Sequence, residues 1–336
     1  MIRIDLAGWT REATQGDPRA FFALFDQADQ LGFDGVWFSE FRLPTADWPY
    51  PSPLLLAAAV LARTERLRVG TAVLVLPLHQ PLLLADEVAQ LAFQSGGRID
   101  IGVGRGTEPA TLAALRIDAS DTRARFEHHC AVLQAKAAHV PLYIAGSTPE
   151  TLGFAAERDI PVLLSLEPPE ATQLGHIQHA LQTLQVQQAR QARQAQQATP
   201  TSPARPSTLL KRSSLARYVC IGANAAHVAE QLEGLWAKLQ ERRNFFSAKR
   251  GVPPDQVPRI DPERMLREQF IHGDPAQCHA QIVALHARSG IGALRCVFNA
   301  NGLLDNTEAL AGMALFAREV LPALRLGTAS TAGSPT

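Results

Sequence analysis

The chain has 336 residues, 46% of them hydrophobic, and is long enough to enclose a large core. Its 32 Lys and Arg residues balance 32 Asp and Glu residues, and the lack of a basic stripe argues against nucleic acid as a partner. Neither a signal peptide nor an apolar run that could span a bilayer is evident, which predicts a cytoplasmic protein without membrane contact. The four cysteines are scattered without metal-ligand spacing, so we expect reduced, buried thiols and no metal site.

Strand-like and helix-like segments alternate along the chain. Asp17-Pro18 predicts the start of the first helix, with an N-cap residue followed by proline at the first helical position. The predicted strands cover residues 2–8, 35–40, 68–77, 98–106, 141–146, 161–165, 216–222 and 293–299, and the predicted helices cover residues 18–31, 54–63, 82–93, 122–138, 149–158, 175–198, 225–242, 275–289 and 307–324. Eight alternations without a break predict one α/β domain over residues 1–326, a (β/α)8 TIM barrel with its active site at the C-terminal strand ends.

The connecting segments differ in composition from the barrel elements. A Pro-rich loop at 43–53 contains Trp48 and Tyr50, and a Gln/Ala-rich helix with a Ser/Pro/Thr linker, at about 175–210, is typical of a solvated surface. Residues 245–262 are predicted as a long irregular loop that could act as a lid. The small, polar residues 327–336 are predicted to be a disordered tail.

The fourth predicted strand ends in Gly104-Arg105-Gly106. Glycines at a strand end let the backbone approach a ligand closely, and Arg105 offers a permanent charge and a planar donor fork suited to a phosphate. Glycines after strands are often only turns, and Arg105 could equally be a solvent-exposed residue at a strand end. The prediction therefore depends on the surrounding motifs.

Eight short motifs occur in a fixed order along the chain. They are Trp37-Phe-Ser-Glu40, Tyr50-Pro-Ser-Pro53, Arg68-Val-Gly-Thr-Ala72, Leu76-Pro-Leu-His79, Ser95-Gly-Gly-Arg98, Gly102-Val-Gly-Arg-Gly106, Gly146-Ser-Thr-Pro-Glu150 and His272-Gly-Asp-Pro275. With these motifs the chain resembles the bacterial luciferase-like, flavin-dependent oxidoreductases, over residues 2 to about 325.

The resemblance implies a luciferase-like TIM barrel that binds FMN, as FMNH2, at the C-terminal strand ends. In the luciferase branch, reduced FMN and O2 form a C4a-hydroperoxide that oxygenates a small organic substrate, and a carrier-tethered substrate is conceivable here. The protein positions the flavin and excludes water. The resemblance further implies a separate NAD(P)H:flavin reductase as partner, in agreement with the lack of a dinucleotide fingerprint, and a homodimer formed by the helices beside the second and third strands.

Two groups of residues match the family's phosphate site. Arg105 and Arg123 correspond to two arginines that hold the flavin phosphate by charge-assisted hydrogen bonds. Gly146, Ser147 and Thr148 precede a helix whose free amides could face the phosphate, although a plain capping motif explains the same residue types. Because residue 146 is glycine, its contact could only be through the backbone.

Two further residues correspond to the segment against the flavin ring. The resemblance implies that Ala72 lies beside the ring, with a cis peptide bond between Ala72 and Val73. Gly104 stands where some luciferases have a cysteine, and is expected to leave more room beside the ring.

The chain departs from the family where the acid/base residues are expected. The family often has Glu-His-His after the second strand, but this chain has Glu40-Phe41-Arg42, and Phe41 cannot move a proton. His79 is the best remaining acid or base because imidazole titrates near neutrality, although its loop could be only a turn. Glu40 is the second catalytic candidate, with a structural role as its alternative.

The chain is also shorter than typical members over residues 124–140, which predicts a pocket that is more open or is covered by another segment. Three functions remain open at this point. The leading one is an FMNH2-dependent monooxygenase, the second is a deazaflavin-dependent dehydrogenase, and the third is a catalytically silent flavin-binding relative or subunit. The substrate is not predicted.

Overall fold

Nine parallel strands form a sheet that closes on itself in the computed structural model, which describes residues 2–9, 17–43, 52–106, 108–194, 206–249 and 251–326. The strands are β1 Arg3–Ala7, β2 Gly35–Phe38, β3 Arg68–Val75, β4 Ile99–Gly104, β5 Leu142–Ala145, β6 Val162–Leu164, β7 Ser214–Ile221, β8 Phe270–Gly273 and β9 Ala293–Val297. Most of the Pro-rich loop with Trp48 and Tyr50, most of the predicted linker, and the tail 327–336 lie outside the described residues.

Eight of the strands complete a barrel. Each of β1 to β5 pairs with the next strand. The barrel is completed by the pairing of β6 with β7, of β7 with β9, and of β9 with β1. The predicted (β/α)8 barrel is therefore confirmed. The prediction of only eight strands is wrong, because β8 pairs with the second half of β7. This strand follows α10 directly, so no turn residue marks its beginning in the sequence.

Helices cover the outside of the barrel. Their bounds are α1 Pro18–Leu31, α2 Pro53–Arg63, α3 Pro81–Gln94, α4 Pro109–Ala114, α5 Thr122–Lys136, α6 Pro149–Glu157, α7 Glu170–Gln194, α8 Pro206–Arg212, α9 Ala225–Lys249, α10 Pro262–Gln269, α11 Pro275–Ser289, α12 Asn306–Glu319 and α13 Leu321–Leu326. As predicted, α1 begins at Pro18, and the Asp17 carboxylate caps it by accepting from the backbone N–H of Arg19. Between Arg123 and β5 the chain contains only α5 and a turn.

The prediction of an irregular loop at 245–262 is wrong for its first five residues, which are helical. Helix α9 continues to Lys249, because the guanidinium of Arg242 packs over the ring of Phe246 and Gln240 donates to Asn244, both one helical turn apart. Helices α9 and α10 pack together with β7, β8 and β9 around a second apolar cluster, separate from the main core. This part of the barrel mouth is therefore covered by packed helices.

The barrel interior at its N-terminal end holds ion pairs. The Asp100 carboxylate is 1% exposed and lies 2.6 Å from Arg68 Nη2 and 2.8 Å from Arg3 Nη2, the latter without the alignment of a hydrogen bond. Asp5 accepts from the indole of Trp37 at 2.6 Å, and burial raises the pKa of Asp5. These buried charges hold one another at the end of the barrel opposite the predicted site.

Three further features bear on the predicted class of protein. All four cysteines are free and buried, as predicted. Among the helices of the described ranges, none is both long and apolar enough to cross a membrane. The described residues also contain no group of three His, Cys, Asp or Glu side chains placed to hold a metal ion.

Candidate active site

Glycines occupy the inward positions on one side of the barrel. Because side chains alternate along a strand, the inward positions of β3 and β4 are occupied by Gly70, Gly102 and Gly104 rather than by large side chains. The opposite wall, formed by β7 and β9, presents Tyr218 and Val297, which belong to the apolar cluster under α9 and α10. The glycines of β3 and β4 allow close packing, because a Cβ at each of them would lie less than 3.0 Å from a neighbouring atom.

The peptide bond between Ala72 and Val73 is cis, as the resemblance implied. The two residues that follow β2 contact this peptide. The Ser39 hydroxyl donates to the carbonyl of Ala72 at 2.8 Å, and the Glu40 N–H donates to the carbonyl of Val73 at 3.1 Å. The pairing of β3 with β4 shifts register at the same point. Sequence reasoning missed Ser39, because a single serine at a strand end carries no specific signal.

The room expected beside Gly104 is partly filled. A Cβ atom at position 104 would lie 2.9 Å from Cγ2 of Val73, so the valine side chain occupies the space that a larger residue 104 would need. Gly104 thus permits close packing of β4 against the cis turn of β3. The expectation of extra open room at this position is corrected accordingly.

The two predicted catalytic residues lie together. Nε2 of His79 is 3.0 Å from each carboxylate oxygen of Glu40, although the two residues are 39 positions apart in the chain. Glu40 also accepts from the backbone N–H of Val75 at 2.6 Å and from Nε of Arg42 at 2.5 Å, and its side chain is fully buried. The carboxylate therefore has a structural role and an imidazole partner at once.

Two side chains of α5 hold the loop that carries His79. Arg125 donates to the carbonyl of Pro77 at 3.0 Å, and Nδ1 of His129 lies 2.8 Å from the carbonyl of Leu76. Burial lowers the pKa of His129 most strongly, which favours a neutral ring that donates to this carbonyl. The His79 side chain is 12% exposed, so it contacts Glu40 and is still accessible to solvent.

The charge balance around Glu40 predicts a pH dependence of stability. Burial, the largest influence, raises the pKa of Glu40, but the hydrogen bond and charge of His79, the Val75 N–H and Arg42 together outweigh it, and the pKa lies below the ordinary 4.5. A lowered folded-state pKa contributes stability above the unfolded-state value, and this contribution is lost as the pH falls through the folded-state value. We expect the free energy of unfolding of wild type to exceed that of Glu40→Gln at neutral pH, and the difference to shrink below about pH 4.5. Urea titrations across this range, with Glu87→Gln on the exposed face of α3 as control, would contradict this if the difference were constant.

The two predicted phosphate-binding arginines lie near the start of α6. Arg105 is exposed directly after β4, and Arg123, in the first turn of α5, pairs with Glu127 and lies with its guanidinium 5.7 Å from the ring centre of Phe154 in α6. The pKa of Glu150 in α6 is lowered, first by hydrogen bonds from its own backbone N–H and from Thr148, and further by the charges of Arg123 and Arg105. Both arginines thus act on the same helix end.

The residues before α6 have structural roles of their own. The Thr148 hydroxyl caps the helix by accepting from the Thr151 N–H at 3.3 Å, and the carbonyl of Ser147 lies 3.0 Å from Nδ1 of His176. A Cβ at Gly146 would lie 2.4 Å from Thr151 Cγ2, which explains the glycine by packing. The first N–H groups of α6 have partners within the protein, so the two arginines are what fits the phosphate of a flavin mononucleotide here.

Comparison with known proteins identifies relatives of the chain. The family model described as luciferase-like monooxygenase matches residues 2–137 and 128–291. The chain is 40% identical over 103 residues to 4-hydroxyprotoasukamycin monooxygenase of Streptomyces nodosus subsp. asukaensis, covering 30% of this chain and 27% of that protein. It is 31% identical over 186 residues to the F420-dependent glucose-6-phosphate dehydrogenase of Beutenbergia cavernae, covering 52% and 54% of the two chains.

A solved structure extends the comparison over nearly the whole chain. The oxygenating constituent of 3,6-diketocamphane monooxygenase from Pseudomonas putida, a type II Baeyer–Villiger monooxygenase in complex with FMN, superposes with a TM-score of 0.70 at 17% identity. The superposition covers 96% of this chain and 99% of that one, which establishes the shared fold. The match to the first curated relative, in contrast, spans only about a quarter of that protein's length.

Proposed function

The chain belongs to the luciferase-like monooxygenase family, and we propose that it is an FMNH2-dependent monooxygenase that oxygenates an organic substrate with O2. The observation that carries this proposal is the arrangement of the barrel mouth. Arg105 and Arg123 lie near the start of α6, and the pair of Glu40 and His79 lies beside the cis turn.

Each group in the mouth has a proposed role. Arg105 and Arg123 bind the phosphate, and the backbone at Gly146, Ser147 and Thr148 completes its site. When bound, reduced FMN supplies the electrons for the activation of O2, which is chemistry that no side chain here provides.

The segment around Ala72 orients the flavin ring, while the apolar cluster under α9 and α10 excludes water from the mouth. Glu40 holds the His79 proton at Nε2 and positions the imidazole through the contacts at 3.0 Å, so Nδ1 is the nitrogen that accepts or donates a proton. His79 thus takes over the acid/base role that Phe41 cannot fill.

Two other functions use the same barrel. A deazaflavin-dependent dehydrogenase is favoured by the similarity to the F420-dependent relative, and a catalytically silent flavin-binding relative is favoured by the residues Phe41 and Arg42 in place of the family's histidines. The buried pair of Glu40 and His79 supports an enzyme over a silent binder, because a carboxylate that orients an imidazole is an arrangement that proton transfer requires.

Anaerobic titrations test the choice of cofactor. We expect the purified chain to bind FMNH2 more tightly than oxidised FMN, and to bind reduced F420 weakly, measured by quenching of tryptophan fluorescence. Tighter binding of F420 than of FMNH2, together with hydride exchange, would establish the dehydrogenase instead. Binding of oxidised and reduced FMN with equal affinity would favour the silent binder.

We further propose that the protein forms a homodimer through α2 and α3 and receives FMNH2 from a separate NAD(P)H:flavin reductase in the cytoplasm. Large apolar side chains are exposed on these two helices, namely Leu55 (75% exposed), Leu82 (50%), Leu83 (62%) and Phe93 (87%). Large apolar side chains exposed on these two helices support the proposal of an interface there.

Substitution of the exposed leucines tests the dimer. Leu55→Glu combined with Leu83→Glu is expected to shift the protein from dimer to monomer in analytical ultracentrifugation, because charged groups would be buried at the interface without partners. The control Val283→Glu changes an exposed apolar residue of α11, away from α2 and α3, and should leave the dimer intact. A wild-type protein that sediments as a monomer would refute this interface.

A further inference from the structure

A cavity of about 550 Å³ opens at the N-terminal end of the barrel, opposite the mouth. It is lined by the first residues of β1, β5 and β9, by the end of α5 and by the last two residues of α8. Its volume is within the usual range of small-molecule sites, about 300–1,000 Å³. None of the residues assigned above to the flavin or to proton transfer lines this cavity.

One wall of the cavity is apolar and already formed. Leu133 and Ala137 of α5 contribute to it, together with Val140 before β5 and Ile160 before β6. These four residues are only 3–7% exposed, so the packing of the barrel holds them in place. A ligand with an apolar body would gain free energy by covering this wall, because its own apolar surface leaves water.

The side of the cavity that faces the barrel offers two hydrogen-bond donors. Nε of Arg3 donates to Asp5 and its buried Nη2 lies 2.8 Å from Asp100, so Nη1 is the nitrogen left to reach the cavity. The hydroxyl of Tyr143 has no hydrogen-bond partner among the residues that the structure describes. Both side chains pack against the indole of Trp37, Tyr143 at 5.3 Å and Arg3 at 5.8 Å from the ring centre. The two donors therefore lie next to each other.

The rim of the cavity carries an excess of positive charge. Lys211 and Arg212 form its outer edge at the end of α8, and Arg212 pairs with Asp159, the one carboxylate among the lining residues. Lys211 is exposed, and its ammonium group pairs with no carboxylate within the described ranges. The unpaired ammonium attracts an anion to this edge.

The barrel interior behind Arg3 also has more cations than anions. The carboxylates of Asp5 and Asp100 are matched by the guanidinium groups of Arg3 and Arg68, at 2.6–2.8 Å. Arg295 is a third buried arginine, 6% exposed, and in the described part of the chain it donates only to a hydroxyl and a backbone carbonyl. A buried cation without a carboxylate partner favours an anion nearby.

From this cavity we propose that the N-terminal end of the barrel binds an organic carboxylate with an apolar body. The carboxylate accepts from Nη1 of Arg3 and from the hydroxyl of Tyr143, and the body covers the wall formed by Leu133 and Ile160. A carboxylate matches the two donors because it only accepts hydrogen bonds, and hydrogen bonds to a charged group are the stronger ones. The site lies outside the barrel mouth and does not depend on the proposed function.

The test compares an acid with its uncharged amide. 3-Phenylpropionate and 3-phenylpropanamide have the same apolar body, and isothermal titration on the full chain without flavin measures both dissociation constants. We expect wild type to bind the acid about 10-fold more tightly, from hydrogen bonds to a charged group. Equal affinity for the two ligands, or no binding of either, would overturn the proposal.

Variants locate the bound acid. Tyr143→Phe keeps the ring against Trp37 and is expected to weaken the binding of 3-phenylpropionate about 10-fold, since it removes a hydrogen bond to the carboxylate. Lys211→Gln should weaken it about 2- to 5-fold, as an exposed charge does. Lys136→Gln, an exposed lysine of α5 that does not line the cavity, is the matched control and should leave the affinity unchanged. Unchanged affinity in both Tyr143→Phe and Lys211→Gln would refute the site.

A direct signal and a competition experiment complete the test. The chain has three tyrosines, so 13Cζ-labelled tyrosine gives three resonances, of which Tyr143→Phe identifies one. 3-Phenylpropionate should shift that resonance, with or without saturating FMN, because the two sites lie at opposite ends of the barrel. Displacement of the acid by FMN would place it among the arginines at the mouth and overturn the proposal. Binding of the acid by a protein that does not bind FMN would refute the proposed function alone.

Discussion

Replacing Arg105 by alanine is expected to weaken the binding of FMN by about 10- to 100-fold, the usual effect of removing a hydrogen bond to a charged group. Arg105 is exposed at the end of β4, beside the start of α6 where Arg123 also lies. Without it, the phosphate dianion would keep only one arginine and the helix end. Isothermal titration with FMN measures the change, and Arg123→Ala is expected to act in the same direction.

Riboflavin provides the matched control, because it has the flavin ring and lacks the phosphate. Arg105→Ala should leave the affinity for riboflavin unchanged, so that the variant loses the preference for FMN over riboflavin. Arg318→Ala, an exposed arginine of α12 that pairs with Glu319, should leave both affinities unchanged. An Arg105→Ala variant that binds FMN as tightly as wild type would show that Arg105 is only a solvent-exposed strand-end residue.

Replacing Asp100 by alanine is expected to lower the free energy of unfolding by about 3–5 kcal/mol, since removal of one member of a buried ion pair leaves its partners uncompensated. The carboxylate lies between Arg3 and Arg68 inside the barrel, at 2.8 and 2.6 Å. Alanine would leave two guanidinium groups near each other without this anion. Chemical denaturation followed by circular dichroism measures the loss.

The control for Asp100 is an aspartate that makes no such contacts. Asp86→Ala, on the exposed face of α3, should change the free energy of unfolding by no more than about 0.5 kcal/mol. A third variant, Asp100→Ala combined with Arg68→Leu, should recover part of the loss, because it removes one uncompensated charge. A loss below about 1 kcal/mol for Asp100→Ala would mean that solvent reaches the pair and screens it.

The barrel could be predicted because its strands and helices carry local signals. Asp17-Pro18 caps α1 as expected, and glycine or proline marks most of the remaining boundaries. Elements without such signals were missed or misjudged. No turn residue separates β8 from α10, and the six residues of α4 are too short to show a periodic pattern. Poor helix formers at Asn244 and Phe245 concealed the last turns of α9.

The candidate site was predictable as a set of residue types and not as a geometry. Glu40 and His79 were chosen separately, and their contact depends on the adjacency of β2 and β3, which brings together residues 39 positions apart. Such a contact between distant positions can be recognised only in the folded chain.

The reaction of bound FMNH2 with oxygen tests the central claim most directly. Purified protein is saturated with FMNH2 without oxygen, mixed with aerated buffer in a stopped-flow instrument, and followed by absorbance at the band of oxidised flavin, with His79→Gln measured in parallel. We predict that bound FMNH2 reoxidises in a separate phase, severalfold slower than free FMNH2, and that His79→Gln changes this rate while FMN affinity is kept. Reoxidation at the rate of free FMNH2, although the flavin is bound, would contradict the account and leave a flavin-binding protein without monooxygenase activity.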